Sequence, residues 1–228
     1  MSTVKIKQLN CQKAKACNVF IAHEMIQGEM IFLVQEPYLY KGKVCGMPSG
    51  YEIFGVQYAR AVIIAHKSLG LCFCPELSDK DTTVCLTKYS NKRAYLVSSY
   101  LDILLPPVGE KLDKLKNELL CNDSVCIAGI DSNAHSHLWN CEITNTRGEE
   151  LEAFIMENNF MVHNQGNENT FVTRRACSII DITISYGNVE ISDWNVSEKY
   201  SYSDHKLIEC VFVLYTLFPP FLGTFLRA

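Results

Sequence analysis

Apolar residues recur along most of this chain in short runs, many alternating with polar residues, and such runs predict β-strands. Residues 4–9 alternate, whereas residues 30–34 are apolar on both faces and predict a strand buried on both sides. Further strand-like runs follow, each bounded by turn-forming residues. They cover 51–56, 61–65, 71–74, 82–87, 94–100, 125–130, 160–163, 170–173, 179–185, 189–196 and 205–213. The runs between 51 and 100 are spaced like one antiparallel meander.

Three segments show helical patterns instead. Helical spacing is found first at Ala16, Val19, Phe20 and His23, and again at Leu112, Leu115 and Leu119. Residues 146–149 resemble a capping box that opens a third helix carrying Leu151, Phe154 and Ile155. Many strands with few helices predict an α/β fold, in which two packed β-sheets are flanked by helices.

The length and the apolar content predict a single domain. A chain of 228 residues with 48% hydrophobic residues has enough apolar surface for one sizeable core. We expect this domain to cover 1–213, followed by an apolar tail of unknown role over 214–228. Pro219-Pro220 and Gly223 interrupt the tail, so a membrane-spanning helix is not expected there.

Charge and cysteine content bear on how the protein could bind nucleic acid and on the compartment in which we expect it. The net charge of −4 means that any nucleic acid would be bound through local basic loops rather than a global positive field. The eleven cysteines form no CxxC pair, so neither a disulfide framework nor a zinc site is indicated. Because the N-terminus resembles no signal peptide, we expect an intracellular protein in a reducing compartment.

Polar residues that suit phosphodiester chemistry lie at the ends of the predicted strands. Glu36 follows the strand over 30–34, Asp131 follows that over 125–130, and Asp204-His205 opens the last one. Carboxylates suit Mg²⁺, and an imidazole exchanges protons near neutral pH. Any one of these residues alone is more often a solvated or structural residue. Together they suggest a metal-assisted hydrolase.

Nine short motifs occur in an order that resembles a known family. They are Gln8-Leu9-Asn10, Leu33–Tyr38, Ser98–Tyr100, Asp131–His135, Leu138-Trp139, Val162–Asn164, Thr170-Phe171, Ile180–Thr183 and Ser203–His205. The chain resembles the apurinic/apyrimidinic-type endonuclease domain of non-LTR retrotransposons, within the exonuclease-endonuclease-phosphatase superfamily. Val34–Pro37 and Asn133–His135 with Leu138-Trp139 are similar to insect elements that insert into ribosomal or telomeric repeats.

The resemblance implies a DNase-I-like fold, a four-layer α/β sandwich of two mixed sheets. It implies a Mg²⁺- or Mn²⁺-dependent enzyme that nicks double-stranded DNA and leaves a 3′-hydroxyl to prime a reverse transcriptase of the same polyprotein. It further implies a nuclear location, no membrane partner and a monomeric isolated domain.

The resemblance also implies a role for each matching residue. Glu36 is the main metal ligand, Asn10 binds or orients the metal, and Asp204 completes the metal or phosphate site. Tyr100 donates to the phosphate, and Asn133 holds Asp131 from the same strand face. Asp181 fixes the tautomer of His205, and either Asp131 or His205 activates water. The repair enzymes of the superfamily carry an acid where this chain has Gln12, which weakens a second metal ligand there.

A hairpin between Phe171 and Ile179 is expected to determine which DNA site is cut. Arg174 and Arg175 lie at its tip, and Thr170 stands at its base. Arginine suits phosphates and a narrow minor groove. The alternatives are an abasic-site repair endonuclease, an inositol or lipid phosphatase of the superfamily, and an inactive DNA-binding or scaffold domain.

Overall fold

The computed structural model describes residues 2–89 and 92–214. Within them, fourteen strands form two six-stranded sheets and a two-stranded hairpin, and there are three α-helices. The helices are α1 (Lys15–Met25), α2 (Glu110–Cys121) and α3 (Thr146–Glu157). Leu214, the first residue of the predicted tail, is the last residue of a strand, and the rest of the tail lies outside the described residues. Among those described, no helix combines the length and apolar character that crossing a membrane requires.

The first sheet has the strand order β13-β14-β1-β2-β4-β3. Its strands are β1 (Ser2–Asn10), β2 (Met30–Gln35), β3 (Tyr51–Phe54), β4 (Ala61–His66), β13 (Ile191–Val196) and β14 (Ile208–Leu214). β1 runs parallel to β2, and the other neighbours are antiparallel. Because α1 connects these two parallel strands as a crossover, the carboxyl ends of β1 and β2 lie at the same end of the sheet.

The second sheet has the order β5-β6-β7-β8-β12-β9. Its strands are β5 (Cys72–Phe73), β6 (Thr82–Tyr89), β7 (Lys92–Tyr100), β8 (Ser124–Asp131), β9 (Phe160–Val162) and β12 (Asp181–Tyr186). β7 is parallel to β8, with α2 as the crossover, so this sheet is mixed as well. β10 (Phe171–Val172) and β11 (Cys177–Ser178) form the separate hairpin.

Three apolar clusters hold four layers together. The first joins the sheets through residues such as Ile6 and Leu33 facing Leu96 and Ile127. The second packs α2 and α3 on the second sheet, and the third packs α1 on the first sheet. The expected sandwich of two mixed sheets flanked by helices is therefore confirmed.

The single meander predicted over 51–100 is wrong. β3 and β4 pair in the first sheet, whereas β5, β6 and β7 pair in the second. The chain changes sheets between β4 and β5, where a short 3₁₀ turn over Lys67–Leu69 intervenes. Strand spacing alone cannot show such a change, because both sheets use antiparallel neighbours there.

Two helix details also differ from the sequence prediction. In α1 the buried stripe is Cys17, Ile21 and Met25, whereas Val19 is exposed. The helix has apolar residues on two faces, and packing on the first sheet selects one. In α3 the N-cap is Asn145, whose side chain accepts from the Gly148 N–H at 2.7 Å, rather than Thr146.

Candidate active site

Polar residues from both sheets meet at one end of the sandwich, in two facing rows. The first sheet supplies Arg60, Glu36, Asn10 and His205, and the second supplies Tyr100, Asp131 and Asp181. The rows touch at three places. Arg60 lies over the Tyr100 ring at 4.8 Å, Asn10 Nδ2 is 2.6 Å from Asp131 Oδ2, and His205 Nδ1 is 2.8 Å from Asp181 Oδ2.

The Asp181–His205 pair is buried at the junction of the sheets. The predicted contact is present, but it crosses from one sheet to the other rather than between neighbouring strands. Asn164 Nδ2 donates to the Asp181 carbonyl at 2.9 Å. On the other side, Ser201 Oγ donates to the His205 carbonyl at 2.5 Å, and the Phe171 ring lies 4.9 Å from the imidazole. Both partners are thus held in place, which fixes the orientation of the His205 ring.

Burial and neighbouring charges shift the pKa of two groups here in the same direction. Burial and then the charge of Asp181 raise the pKa of Asp131 to about 7. Burial lowers the pKa of His205, but the charge and hydrogen bond of Asp181, followed by the charges of Asp131 and Glu36, outweigh it and bring that pKa to about 9. At neutral pH the imidazole is therefore mostly protonated, while Asp131 exchanges its proton.

This electrostatic balance can be measured directly. In EDTA, the His205 ring is expected to titrate with a pKa of about 9. Asp181→Asn removes the charge that stabilises the imidazolium, so the pKa of His205 is expected to fall. NMR of the ring resonances against pH tests both values. His163 is an internal reference because burial lowers its pKa. A His205 pKa that stays near 9 in the variant would refute the assigned cause.

Two carboxylates converge on one amide nitrogen. Asn10 Nδ2 donates to Asp131 Oδ2 and lies 3.5 Å from Glu36 Oε2. The Asn10 amide oxygen is occupied by the Gln12 N–H at 2.8 Å, so Asn10 orients the carboxylates. Glu36 has a φ of +44°, an uncommon conformation that is held by its N–H bond to the Arg60 carbonyl.

The donor set of this end fits a hard divalent cation. Glu36 is partly accessible and is balanced by an ion pair with Lys13 at 3.2 Å. Asp181 Oδ1 is buried and accepts no hydrogen bond within the described residues. One oxygen each of Asp131 and Asp181 and a ring nitrogen of His205 lie within 4.8 Å of one another. The carboxylate oxygens of Glu36, Asp131 and Asp181 are ligands of the kind that Mg²⁺ prefers.

Tyr100 is positioned by a network that the sequence analysis missed. Arg60 donates to the two carboxylate oxygens of Asp81 through Nε and Nη2, and to Asp102 through Nη1 at 2.7 Å. Its guanidinium carbon lies 4.8 Å from the centre of the Tyr100 ring. Burial and then the charges of Glu36 and Asp131 raise the pKa of Tyr100, so its hydroxyl stays protonated. The partners of Arg60 are 21 and 42 positions away, so no local motif marks it.

Three residues that we predicted to take part in the site, Asn133, Asp204 and Thr170, lie elsewhere than expected. β8 ends at Asp131, and Asn133 turns away with a φ of +47°. It bonds the Leu101 carbonyl through Nδ2 and meets Asp131 only through its backbone N–H, so the shared strand face is wrong. The Asp204 side chain is exposed and outside the buried cluster, since chain alternation turns it away from His205.

Thr170 is the third of these residues. Its side chain is fully buried, and Oγ1 accepts from the N–H groups of Ile180 and Asp181 at 3.1 and 3.0 Å. It therefore positions Asp181 and does not face DNA. Gln12, which stands where the repair enzymes carry an acid, accepts from the Asp204 N–H at 3.0 Å and links the first loop to the His205 turn.

The predicted hairpin is present and is fastened beside His205. Phe171 pairs with Ser178, and the Val172 N–H donates to the Asp204 carbonyl at 2.8 Å. Arg174 and Arg175 are exposed at the tip and form no ion pair with any residue of 2–89 or 92–214. Two exposed arginines thus stand at the tip of a hairpin whose base is bonded to the His205 turn.

The layered fold with its polar cluster at one end is of the DNase-I-like type. Residues 94–209 match the model of a family described as endonuclease-reverse transcriptase, and the chain belongs to that family. The match covers about half of the chain and includes Tyr100, Asp131, Asp181 and His205.

The chain is similar to proteins of retrotransposable elements. It is 30% identical over 220 residues to a 115 kDa protein in the type-1 element R1DM of Drosophila melanogaster, and covers 21% of that protein. It is 25% identical over 187 residues to a retrovirus-related Pol polyprotein from element R1 of Bradysia coprophila. These matches use 90% and 74% of the chain. The chain thus spans about a fifth of the length of these relatives.

Among solved structures, the chain has the fold of the endonuclease domain of TRAS1, a telomere-specific non-LTR retrotransposon. The TM-score is 0.75 at 23% identity, with 94% of this chain and 99% of that chain covered.

Proposed function

We propose that this chain nicks one strand of double-stranded DNA in a reaction that depends on Mg²⁺ or Mn²⁺, leaving a 3′-hydroxyl. The observation that carries the proposal is the buried Asp181–His205 pair, set directly beside the Asp131, Asn10 and Glu36 cluster. A buried histidine beside several carboxylate oxygens at one end of the fold supports a metal-assisted reaction of this kind.

Glu36 would hold the ion, with Asn10 orienting its carboxylate. When bound, Mg²⁺ supplies positive charge that stabilises the phosphoryl oxygens as negative charge develops on them. Lys13 pairs with Glu36 at 3.2 Å and would pair with a phosphate instead once Glu36 holds the ion. The partly accessible carboxylate of Glu36 supports this use of the site.

The remaining residues divide proton transfer and charge stabilisation. Asp131, with a pKa of about 7, accepts the proton of the attacking water. His205, with a pKa of about 9, stays protonated and donates to a phosphate oxygen. Tyr100 donates its hydroxyl to the phosphate or the leaving oxygen. We therefore assign the role of base to Asp131 rather than His205, because a protonated imidazole cannot accept a proton.

The wider role follows from the relatives. Proteins named for R1 elements, one of them a Pol polyprotein, are about five times longer than the matched region. We propose that the 3′-hydroxyl primes a reverse transcriptase in the same polyprotein, in the nucleus where the target DNA lies. An insertion site within repeated DNA is part of the same proposal.

A plasmid assay tests the activity. Supercoiled plasmid is expected to become open-circular in Mg²⁺ and to remain intact in EDTA. DNA polymerase should extend the nicked product without prior treatment, because extension needs a 3′-hydroxyl. Failure to nick with either Mg²⁺ or Mn²⁺ would contradict the proposal. A strong preference for an abasic oligonucleotide over intact DNA would instead support a repair endonuclease.

The hairpin arginines are expected to set where the DNA is cut. Arg174→Ala with Arg175→Ala should change the pattern of nick positions on a labelled duplex more than the rate of nicking. If both arginines bind phosphates, the slope of log affinity against log salt should fall by about 0.9 per arginine. Lys114→Ala, an exposed cation of α2 in an outer layer, is the matched control. A lower rate with an unchanged pattern would disprove the specificity role.

A further inference from the structure

Two exposed tyrosines lie directly before the His205 turn. Tyr200 is 74% exposed and Tyr202 is 50% exposed, and their ring centroids are 4.8 Å apart at an interplanar angle of 63°. Phe20 of α1 lies 6.3 Å from the Tyr202 ring and extends the aromatic surface. Large rings that remain this exposed contribute little to the core, so the stability of the fold does not account for them.

The backbone holds this pair in an uncommon conformation. Tyr202 has a φ of +64°, in the left-handed region that a tyrosine rarely adopts. Its segment is fixed from below, since Cys17 Sγ donates to the carbonyls of Ser201 and Tyr202 at 3.2 and 3.3 Å. Ser201 Oγ bonds the His205 carbonyl as well. A strained residue held by buried partners is typical of a functional position.

The tyrosine pair adjoins the segment that carries the reacting end of the molecule. The same turn is bonded to the hairpin, because the Val172 N–H donates to the Asp204 carbonyl at 2.8 Å and the Lys206 N–H donates to the Thr170 carbonyl at 2.7 Å. The His205 turn thus follows the tyrosines directly in the chain and is joined to the base of the arginine hairpin by hydrogen bonds. DNA that places a phosphate at His205 would pass close to the rings.

The chemistry of this surface favours bases over phosphates. Glu198, Lys199 and Asp204 are exposed around the tyrosines, and Lys199 is paired with Glu24 at 2.7 Å, so the patch carries no excess of positive charge to attract a polyanion. Flat aromatic faces stack on any base. A base within a duplex is already stacked on both faces, so the ligand that fits is an unpaired base.

We propose that Tyr200 and Tyr202 form a stacking platform for an unpaired base of the DNA strand next to the phosphodiester at His205. The inference rests on the proposed nicking function and adds a binding site to it. The platform keeps a frayed nucleotide beside the nick, where the new end must remain available. Because stacking carries no base code, the platform contributes affinity and not sequence choice.

Binding of single-stranded DNA in EDTA tests the platform without cleavage. The probe is a short oligodeoxynucleotide containing 2-aminopurine, whose fluorescence reports stacking. The variant Tyr200→Leu/Tyr202→Asn removes both rings, and asparagine tolerates the left-handed backbone. Its affinity is expected to fall by about tenfold or more, as for the loss of one to two stacked bases. Tyr200→Phe/Tyr202→Phe keeps both rings and should bind within about twofold of the parent.

The comparison also includes a blunt duplex and an RNA of the same sequence. Duplex affinity should be equal in the two double variants. Equal single-strand affinity of the Leu/Asn variant and the parent would overturn the platform, as would ring-dependent binding confined to RNA. If the Leu/Asn variant does not fold, Tyr200→Leu alone, at an unstrained position, provides the same test. Since binding is measured without metal, absence of nicking refutes the proposed function alone.

Discussion

Replacing His205 by alanine is expected to lower the rate of plasmid nicking by about 10²- to 10⁴-fold. The imidazolium is the one buried cation placed beside Asp131 and Asp181 among the described residues, and its pKa of about 9 keeps it charged at neutral pH. Without it, the phosphate loses a charged donor and Asp181 loses its partner at 2.8 Å. Initial rates on supercoiled plasmid in Mg²⁺ measure the effect.

His163→Ala is the matched control for this substitution. His163 bonds Ser185 at 2.7 Å, toward the other end of the strand that begins with Asp181. It lies outside the facing rows of polar residues, so its loss should leave the nicking rate within about twofold. Circular dichroism and a urea unfolding curve show whether each variant is folded. A folded His205→Ala protein that nicks at the parent rate would exclude His205 from the reaction.

Asp131→Asn is expected to have an effect of similar size, about 10²- to 10⁴-fold on the nicking rate. The substitution keeps the shape but removes the proton acceptor. In the parent the rate should rise with pH as Asp131 loses its proton, because only the carboxylate accepts one. The pKa of about 7 places this limb near neutrality, and a nearby divalent cation moves it to lower pH by favouring the carboxylate.

The pH profile distinguishes proton transfer from a merely structural role. The rising limb should be absent in Asp131→Asn and present in the parent, measured over about pH 5 to 9. Asp123→Asn is the control, because Asp123 is exposed just before the other end of β8 and pairs with Lys92. If Asp131→Asn retained the limb, another group would be the base, and the pKa of about 7 would have no catalytic meaning.

Much of the secondary structure could be predicted because it depends on local patterns. The apolar run over 30–34 is a strand buried on both faces, and the leucines at 112, 115 and 119 form the buried stripe of α2. The buried face of α1 could not be read in this way. Cys17, Ile21 and Met25 compete with Ala16, Val19 and Phe20, and only contact with the first sheet decides between them.

The site was predictable in its residue types and less so in its contacts. Glu36, Asp131, Asp181 and His205 were expected from their strand ends and from the order of the motifs, and the structure brings them together. Asn133 and Thr170 were assigned side-chain roles at the surface of the site. Asn133 leaves the strand and Thr170 is buried, because a left-handed turn and two backbone N–H groups determine their places.

The sequence by itself determined the strands, the helices, the two-sheet class and the acid, amide and imidazole groups at the strand ends, since each depends on neighbours a few positions away. The tertiary structure decided which groups meet. Arg60 reaches Asp102 and Tyr100, and Asn10 reaches Asp131 across 121 positions. The Tyr200 ring meets the ring of the strained Tyr202 edge to face. Burial between two sheets, rather than any local pattern, raises the pKa of Asp131 to about 7.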